Sequence, residues 1–206
     1  MLFRSKALAE YVAAQTYNAD RPEGRMNLGN LYAERADVER AIAEYRKAVA
    51  IDPTLAAAYA NLADLYRARG AEGDAEAVLR EGLARNPRAA VLHHVLGLSL
   101  VRQKRRSESL RALKDAVNLE PDNARFSYAF AVALYDAGER KEALQVLDRA
   151  LTLRPYDRDV LSALAHFTAQ SGNRALAQNY VKQLRELDPE NAEYAQMAKQ
   201  IEGAAR

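Results

Sequence analysis

The sequence contains no cysteine, so disulfides, thiolate nucleophiles, covalently attached haem and thiolate metal sites are all excluded. The absence does not select a compartment. Tryptophan is missing too, and aromatic residues amount to only 7% of the chain. Charge of one sign is also lacking. Thirty Lys and Arg against 28 Asp and Glu leave a formal net charge of +2, so no overall field argues for nucleic acid or a membrane surface. No apolar run reaches the roughly 20 residues needed to span a bilayer, and no membrane insertion is expected. The N-terminal LFRSKALAEY lacks the continuous apolar core of a signal peptide. There is no GxGxxG, P-loop, HExxH or paired-cysteine motif. No cofactor and no metal are assigned.

Proline is scarce, and its placement is informative. Of six prolines, Pro53, Pro87, Pro121, Pro155 and Pro189 stand at one constant interval: 87−53, 121−87, 155−121 and 189−155 each give 34. Aligned on them, five units start at Pro22, Ala56, Ala90, Ala124 and Arg158. Position seven of the unit is then Leu28, Leu62, Leu96, Phe130 and Leu164, and position eight is Gly29, Ala63, Gly97, Ala131 and Ala165. Position twenty is Ala41, Ala75, Ser109, Ala143 and Ala177. Position twenty-four is Tyr45, Leu79, Leu113, Leu147 and Val181. Large residues three or four apart make one apolar helix face. Small ones let two helix backbones approach. Gly70, Gly138 and Gly172 fall between the two apolar runs, where the chain must reverse, and the proline closes the second run because it has no amide to donate. Each unit therefore reads as helix, turn, helix. Asp37, Ser107, Asn123 and Asp157 are candidate N-caps.

With LGNLY at Leu28 to Tyr32, AIAEY at Ala41 to Tyr45 and the closing Pro53, the pattern resembles the tetratricopeptide repeat. The resemblance implies an all-α solenoid of helix-turn-helix units forming a right-handed superhelix. The units are 22–55, 56–89, 90–123, 124–157 and 158–191, the five spanning residues 22–189 with the closing proline. Residues 192–206 form a C-terminal solvating helix, since Lys199 stands where a further unit would need a small residue. That expectation makes the C-terminus genuine. Residues 1–21 read as half a unit: Ala7, Tyr11 and Ala14 lie one repeat interval before Ala41, Tyr45 and Ala48. A second helix without its first points to excision from a longer protein, with a cap as the alternative, and makes this helix a candidate for self-association. The family's position-four tryptophan is absent: Arg25, Tyr59, His93, Ser127 and Leu161 stand there.

In this family the first helices line a concave face where ligands lie. On the corresponding positions the first two units place Asn27, Asn30 and Asn61 among acids, and the third places Val91, His94, Val95 and Leu98. The fourth places Tyr128, Val132 and Tyr135. The later residues are expected to form one apolar patch flanked by the asparagines, and exposed patches of this kind bind partners; the plain alternative is that a neighbouring segment or a second copy covers them. Two family precedents bear on the asparagines. Chaperone-binding members clamp a C-terminal carboxylate with lysines, an arginine and two asparagines. Asn30 and Asn61 match the asparagines, but Met26, Val91 and Val95 replace the cations, which argues against a carboxylate ligand. Other members use a position-six asparagine ladder on a peptide backbone. Here only Asn27 and Asn61 fit.

Two further constellations stand out. Asp159, Ser162 and His166 share one helix face by their spacing, yet a hydrolase triad needs the histidine between serine and carboxylate, and an oxyanion hole. Arg102, Lys104, Arg105 and Arg106 form the one dense basic run, either an acidic-partner site or an ordinary exposed turn. No aromatic is interleaved, so a nucleic-acid interface is not supported. The strings NADRPEGRMNLGNLY, LHHVLGLSLVRQKR and RPYDRDVLSALAHF resemble the C-terminal repeat segment of large bacterial multihaem cytochrome c proteins. That likeness implies a periplasmic parent; without it a cytoplasmic location is expected. The resulting expectation is a non-enzymatic scaffold binding a protein or peptide in the concave groove. The alternative is a structural or assembly module docking on its parent or self-associating, and a hydrolase ranks last.

Overall fold

A computed structural model of the chain describes residues 21–203. Among them all regular structure is helical, in eleven helices: α1 Pro22–Glu34, α2 Val38–Ile51, α3 Ala56–Ala68, α4 Glu72–Arg85, α5 Ala90–Arg102, α6 Arg106–Leu119, α7 Ala124–Asp136, α8 Arg140–Leu153, α9 Arg158–Gln170, α10 Arg174–Leu187 and α11 Ala192–Gly203. Successive odd-numbered helices up to α9 start one proline interval apart, as do the even-numbered ones up to α10. The expected helix around Ala7, Tyr11 and Ala14, with the self-association assigned to it, lies outside the described residues.

The turns explain the spacing. Within each helix pair the first helix closes with the same backbone bond, from an amide to a carbonyl five residues earlier: Asp37 to Tyr32, Ala71 to Tyr66, Arg105 to Leu100, Glu139 to Leu134 and Asn173 to Thr168. This is a Schellman closure, and it needs one left-handed residue just past the helix. Gly70, Gly138 and Gly172 supply it at φ 75°, 90° and 86°. In the other two turns the same place is taken by Ala36 (φ 57°), which sequence patterning did not mark, and by Lys104 (φ 59°), which it marked only as part of the basic run. The second helices end two residues before each proline, and the residue between donates its amide four back, as Asp52 does to Ala48 and Glu120 to Ala116.

Capping is mixed. Asp37 and Asp157 cap as expected, accepting from the Arg40 and Val160 amides at 3.3 and 3.0 Å. Asn123 does not: its side-chain amide donates to Glu120 at 3.0 Å instead. Ser107 lies inside α6, whose N-cap is Arg105.

The described residues form two compact bodies, one ending at Ser99 and one beginning at Leu100. In the N-terminal body Leu28, Tyr45, Tyr59, Leu62 and Leu79 are buried, with Ala41, Ala48 and Ala75 between the helices. Two glycines permit close approach. A Cβ on Gly29 would fall on the edge of the Tyr45 ring, and one on Gly82 would lie 2.7 Å from Tyr59 Cγ. In the C-terminal body Leu113, Phe130, Leu134, Leu147, Leu164 and Leu184 form the core, with Ala116, Ala143 and Ala150 between helices. Thr168, which stands where the earlier units have Tyr32, Tyr66, Leu100 and Leu134, is buried with its hydroxyl satisfied by the Leu164 and Ala165 carbonyls at 2.5 and 3.2 Å.

Candidate functional site

In the N-terminal body α1 and α3 bring two of the predicted asparagines together. The Asn61 side-chain amide donates to Asn30 Oδ1 at 3.0 Å, and the Tyr45 hydroxyl donates to the same oxygen at 2.7 Å. With both lone pairs of that oxygen occupied, the Asn30 amide has one orientation, its NH2 directed elsewhere. Tyr45 reaches this site from α2 because Gly29 lets its ring pass across α1. Burial raises the Tyr45 hydroxyl's pKa, opposed by the hydrogen bond with Asn61, and it stays a protonated donor at neutral pH. The sequence marked Tyr45 only as a core position. The available signal was a tyrosine where the other units have leucine or valine. Asn27 is half-buried on the same helix.

On α5, Val91, Val95 and Leu98 are half-buried, whereas His94 is only 2% exposed. Its imidazole is part of the interior and is not presented to a ligand, contrary to the expectation that it would contribute to an open face. A helix with large apolar residues on most of its circumference buries more than one side.

The C-terminal body holds the predicted tyrosines on α7. Tyr128 is 38% exposed and Val132 is half-buried. Tyr135 is already engaged. Its ring stacks on Phe167 of α9 with centroids 3.9 Å apart, Arg140 lies 5.4 Å over it, and its hydroxyl donates to Gln170 Oε1 at 2.6 Å. The Gln170 amide nitrogen in turn lies 2.7 Å from His166 Nε2. His166 is therefore linked to Gln170 and Tyr135 in this chain of polar contacts, while Asp159 is exposed and Ser162 half-buried on the same helix.

In the basic turn, Arg105 is committed to Glu108 through two bonds of 2.8 and 2.6 Å and to Gln103 at 3.2 Å. Lys104 occupies the left-handed position of the turn. The run is thus shaped by turn closure as well as by charge. Among the described residues no cluster of His, Asp and Glu is arranged to hold a metal ion, and no helix is long and apolar enough to cross a membrane.

Comparisons with known proteins agree with this architecture. Models described as "TPR repeat" and "Tetratricopeptide repeat" match residues 29–70, 55–92, 94–158 and 134–201. A sequence comparison with curated proteins gives no match. Among solved structures, YrrB, described as a TPR protein with an unusual peptide-binding site, is 24% identical with a TM-score of 0.65, over 92% of this chain and 97% of its own. Pseudomonas aeruginosa PilF is 23% identical with a TM-score of 0.74, over 89% and 83%. A TPR protein from Thermus thermophilus, TTC0263, is 22% identical with a TM-score of 0.63, over 87% and 98%. Helix pairs recurring at the interval of the prolines, closed by the same turn and matched along nearly their whole length by repeat models, place this chain in the tetratricopeptide repeat family.

Proposed function

We propose that this chain is a non-enzymatic scaffold whose first helices bind an extended segment of a partner protein. The observation that carries the proposal is the Asn30–Asn61 pair. Asn30 keeps its two N–H groups and Asn61 its carbonyl oxygen, and Tyr45 holds the arrangement from behind. A fixed donor beside a fixed acceptor complements a peptide unit, which carries one of each. Half-buried Val91, Val95 and Leu98 in the same body offer apolar surface to side chains of the segment, and Tyr128 and Val132 on α7 offer an apolar surface of the C-terminal body's own. His94 and Tyr135 act in support, one by packing and the other through Phe167 and Gln170. Asn27 adds a polar contact on α1. The description of YrrB as peptide-binding, together with a shared fold, is consistent with this reading.

The test is selection of peptides from a random phage-displayed library on the wild-type protein, followed by titration against variants. Asn61→Ala should weaken selected peptides by about 1 kcal/mol, one neutral hydrogen bond. Tyr128→Ala should cost on the order of 2 kcal/mol if it anchors a side chain. Salt should change affinity modestly, because the pair is uncharged. Unchanged affinity in both variants overturns the proposal. Failure to select any peptide, with dimers in sedimentation, would favour self-association. Binding only to a multihaem cytochrome c portion of a parent polypeptide would favour intramolecular docking.

A further inference from the structure

Two carboxylates stand beside the asparagine pair. Glu34 follows Asn30 by four residues on α1, and Asp64 follows Asn61 by three on α3. At those spacings each carboxylate lies on the face of its asparagine, one turn further along the helix. α2 reverses the chain between α1 and α3, so the two first helices run in the same direction. The Asn61–Asn30 bond of 3.0 Å holds them in register. Glu34 and Asp64 are therefore neighbours on one side of the pair, about one helical pitch, ~5.4 Å, from it. Glu23 lies on the same stripe of α1, about two turns before Asn30 and roughly 20° from it round the helix.

The cations of the N-terminal body leave this face negative. Glu34 is exposed, with no hydrogen-bonding or ionic partner among the described residues. Asp64 is exposed too, and Arg67 takes only one of its oxygens: two guanidinium nitrogens donate to Oδ1 at 3.3 and 3.1 Å. The arginines of α1 and its C-cap turn elsewhere. Arg25 is bonded to Glu44 at 2.9 Å and Arg35 to the Leu31 carbonyl at 3.2 Å. Each lies roughly 140° round the helix from Asn30. Among the described residues, Glu23, Glu34 and Asp64 thus stand on this face against the guanidinium of Arg67. Their field reaches the pair. Burial raises the pKa of the Tyr45 hydroxyl, and the two charges that act on it, Glu34 and Asp64, raise it further.

We propose that the segment bound at the asparagine pair is basic: a lysine or arginine flanks the peptide unit held there and places its charge between Glu34 and the free Oδ2 of Asp64. The four-carbon stem of a lysine covers the one helical turn that separates the asparagines from the carboxylates. An acidic residue at that place would meet two like charges. This selectivity rests on the peptide-binding reading of the pair, to which it adds the side chain beside the bound backbone. Because both carboxylates are exposed, the charge selects among segments more than it tightens them, and the salt dependence stays modest.

The experiment takes peptides selected from the phage-displayed library and resynthesises each with Lys, Gln or Glu at every position in turn. At one position the Lys form should bind about two- to fivefold tighter than the Gln form at low salt, and the Glu form weaker by a similar factor, as for exposed charge pairs. About 0.5 M salt should erase these differences. The double variant Glu34→Gln/Asp64→Asn should bind the Lys and Gln forms alike. Glu34→Lys should reverse the order and favour the Glu form, a gain that a misfolded variant cannot produce. Asn61→Ala should weaken all three forms by the same factor. The proposal is overturned if no position prefers Lys to Gln, if the preference survives the double variant, or if Glu34→Lys leaves the order unchanged. In those three cases the peptides still respond to Asn61→Ala, so the reading of the pair stands. Peptides indifferent to Asn61→Ala, or no selected peptide at all, overturn both.

Discussion

Residues in unusual conformations or surroundings give the sharpest tests. Ala36 and Lys104 hold left-handed turns that three other units give to glycine. A side chain at that φ costs about 1–2 kcal/mol, of which the unfolded-state entropy of glycine returns roughly 0.5–1. Ala36→Gly and Lys104→Gly should each stabilise the protein by about 0.5–1 kcal/mol in urea denaturation, and Gly138→Ala should destabilise it by a similar amount. Glu44 is a second case. It is 9% exposed and takes bonds from Arg25 at 2.9 Å and Lys47 at 2.7 Å. Burial pushes its carboxyl up, but the two cations outweigh that and hold it below its usual range. Its contribution is therefore present above about pH 4.5 and lost as pH falls through the lower, folded-state value. Glu44→Gln should cost about 1–3 kcal/mol at neutral pH and should flatten the acid limb of the stability profile. An unchanged acid limb would show that the pair is not a stabilising one. In the sequence Arg25 is a mere departure at position four, and Glu44 one residue of the AIAEY string. Their pairing across nineteen residues of sequence is visible only in the folded chain.

At the scale of helices, the small residues set the spacing. Ala143 is fully buried on α8. Ala143→Leu should overpack this contact and cost roughly 1–3 kcal/mol, and a variant that melts like wild type would break the argument. Gly29→Ala has a more specific expected result. The added methyl would meet the Tyr45 ring, so Tyr45 must shift and release Asn30. Stability should fall by about 1–3 kcal/mol, and affinity for groove peptides should fall with it even though Gly29 touches no ligand. Loss of stability with affinity intact would show that Tyr45 does not organise the asparagines. The last helix pair accommodates its odd residues by the same packing logic. Leu184, at a position small elsewhere, is fully buried together with Leu161, and Thr168 turns its hydroxyl back to its own helix.

At the scale of the whole molecule, the repeat length, the alternation of helices and which positions are large or small are legible before folding, because a fixed period in apolar spacing and in proline is a local property written into each unit. The sequence also brought the asparagines forward as candidates, since their register within the repeat is countable. The tertiary structure alone decided which candidates work together. Asn30 is joined to Asn61 and Tyr45, Tyr135 to Phe167 and Gln170, and His94 is withdrawn into the interior. Ser127 shows the same limit. A serine in place of a large residue records only an absence, and it is the packing of the surrounding helices that leaves it 2% exposed.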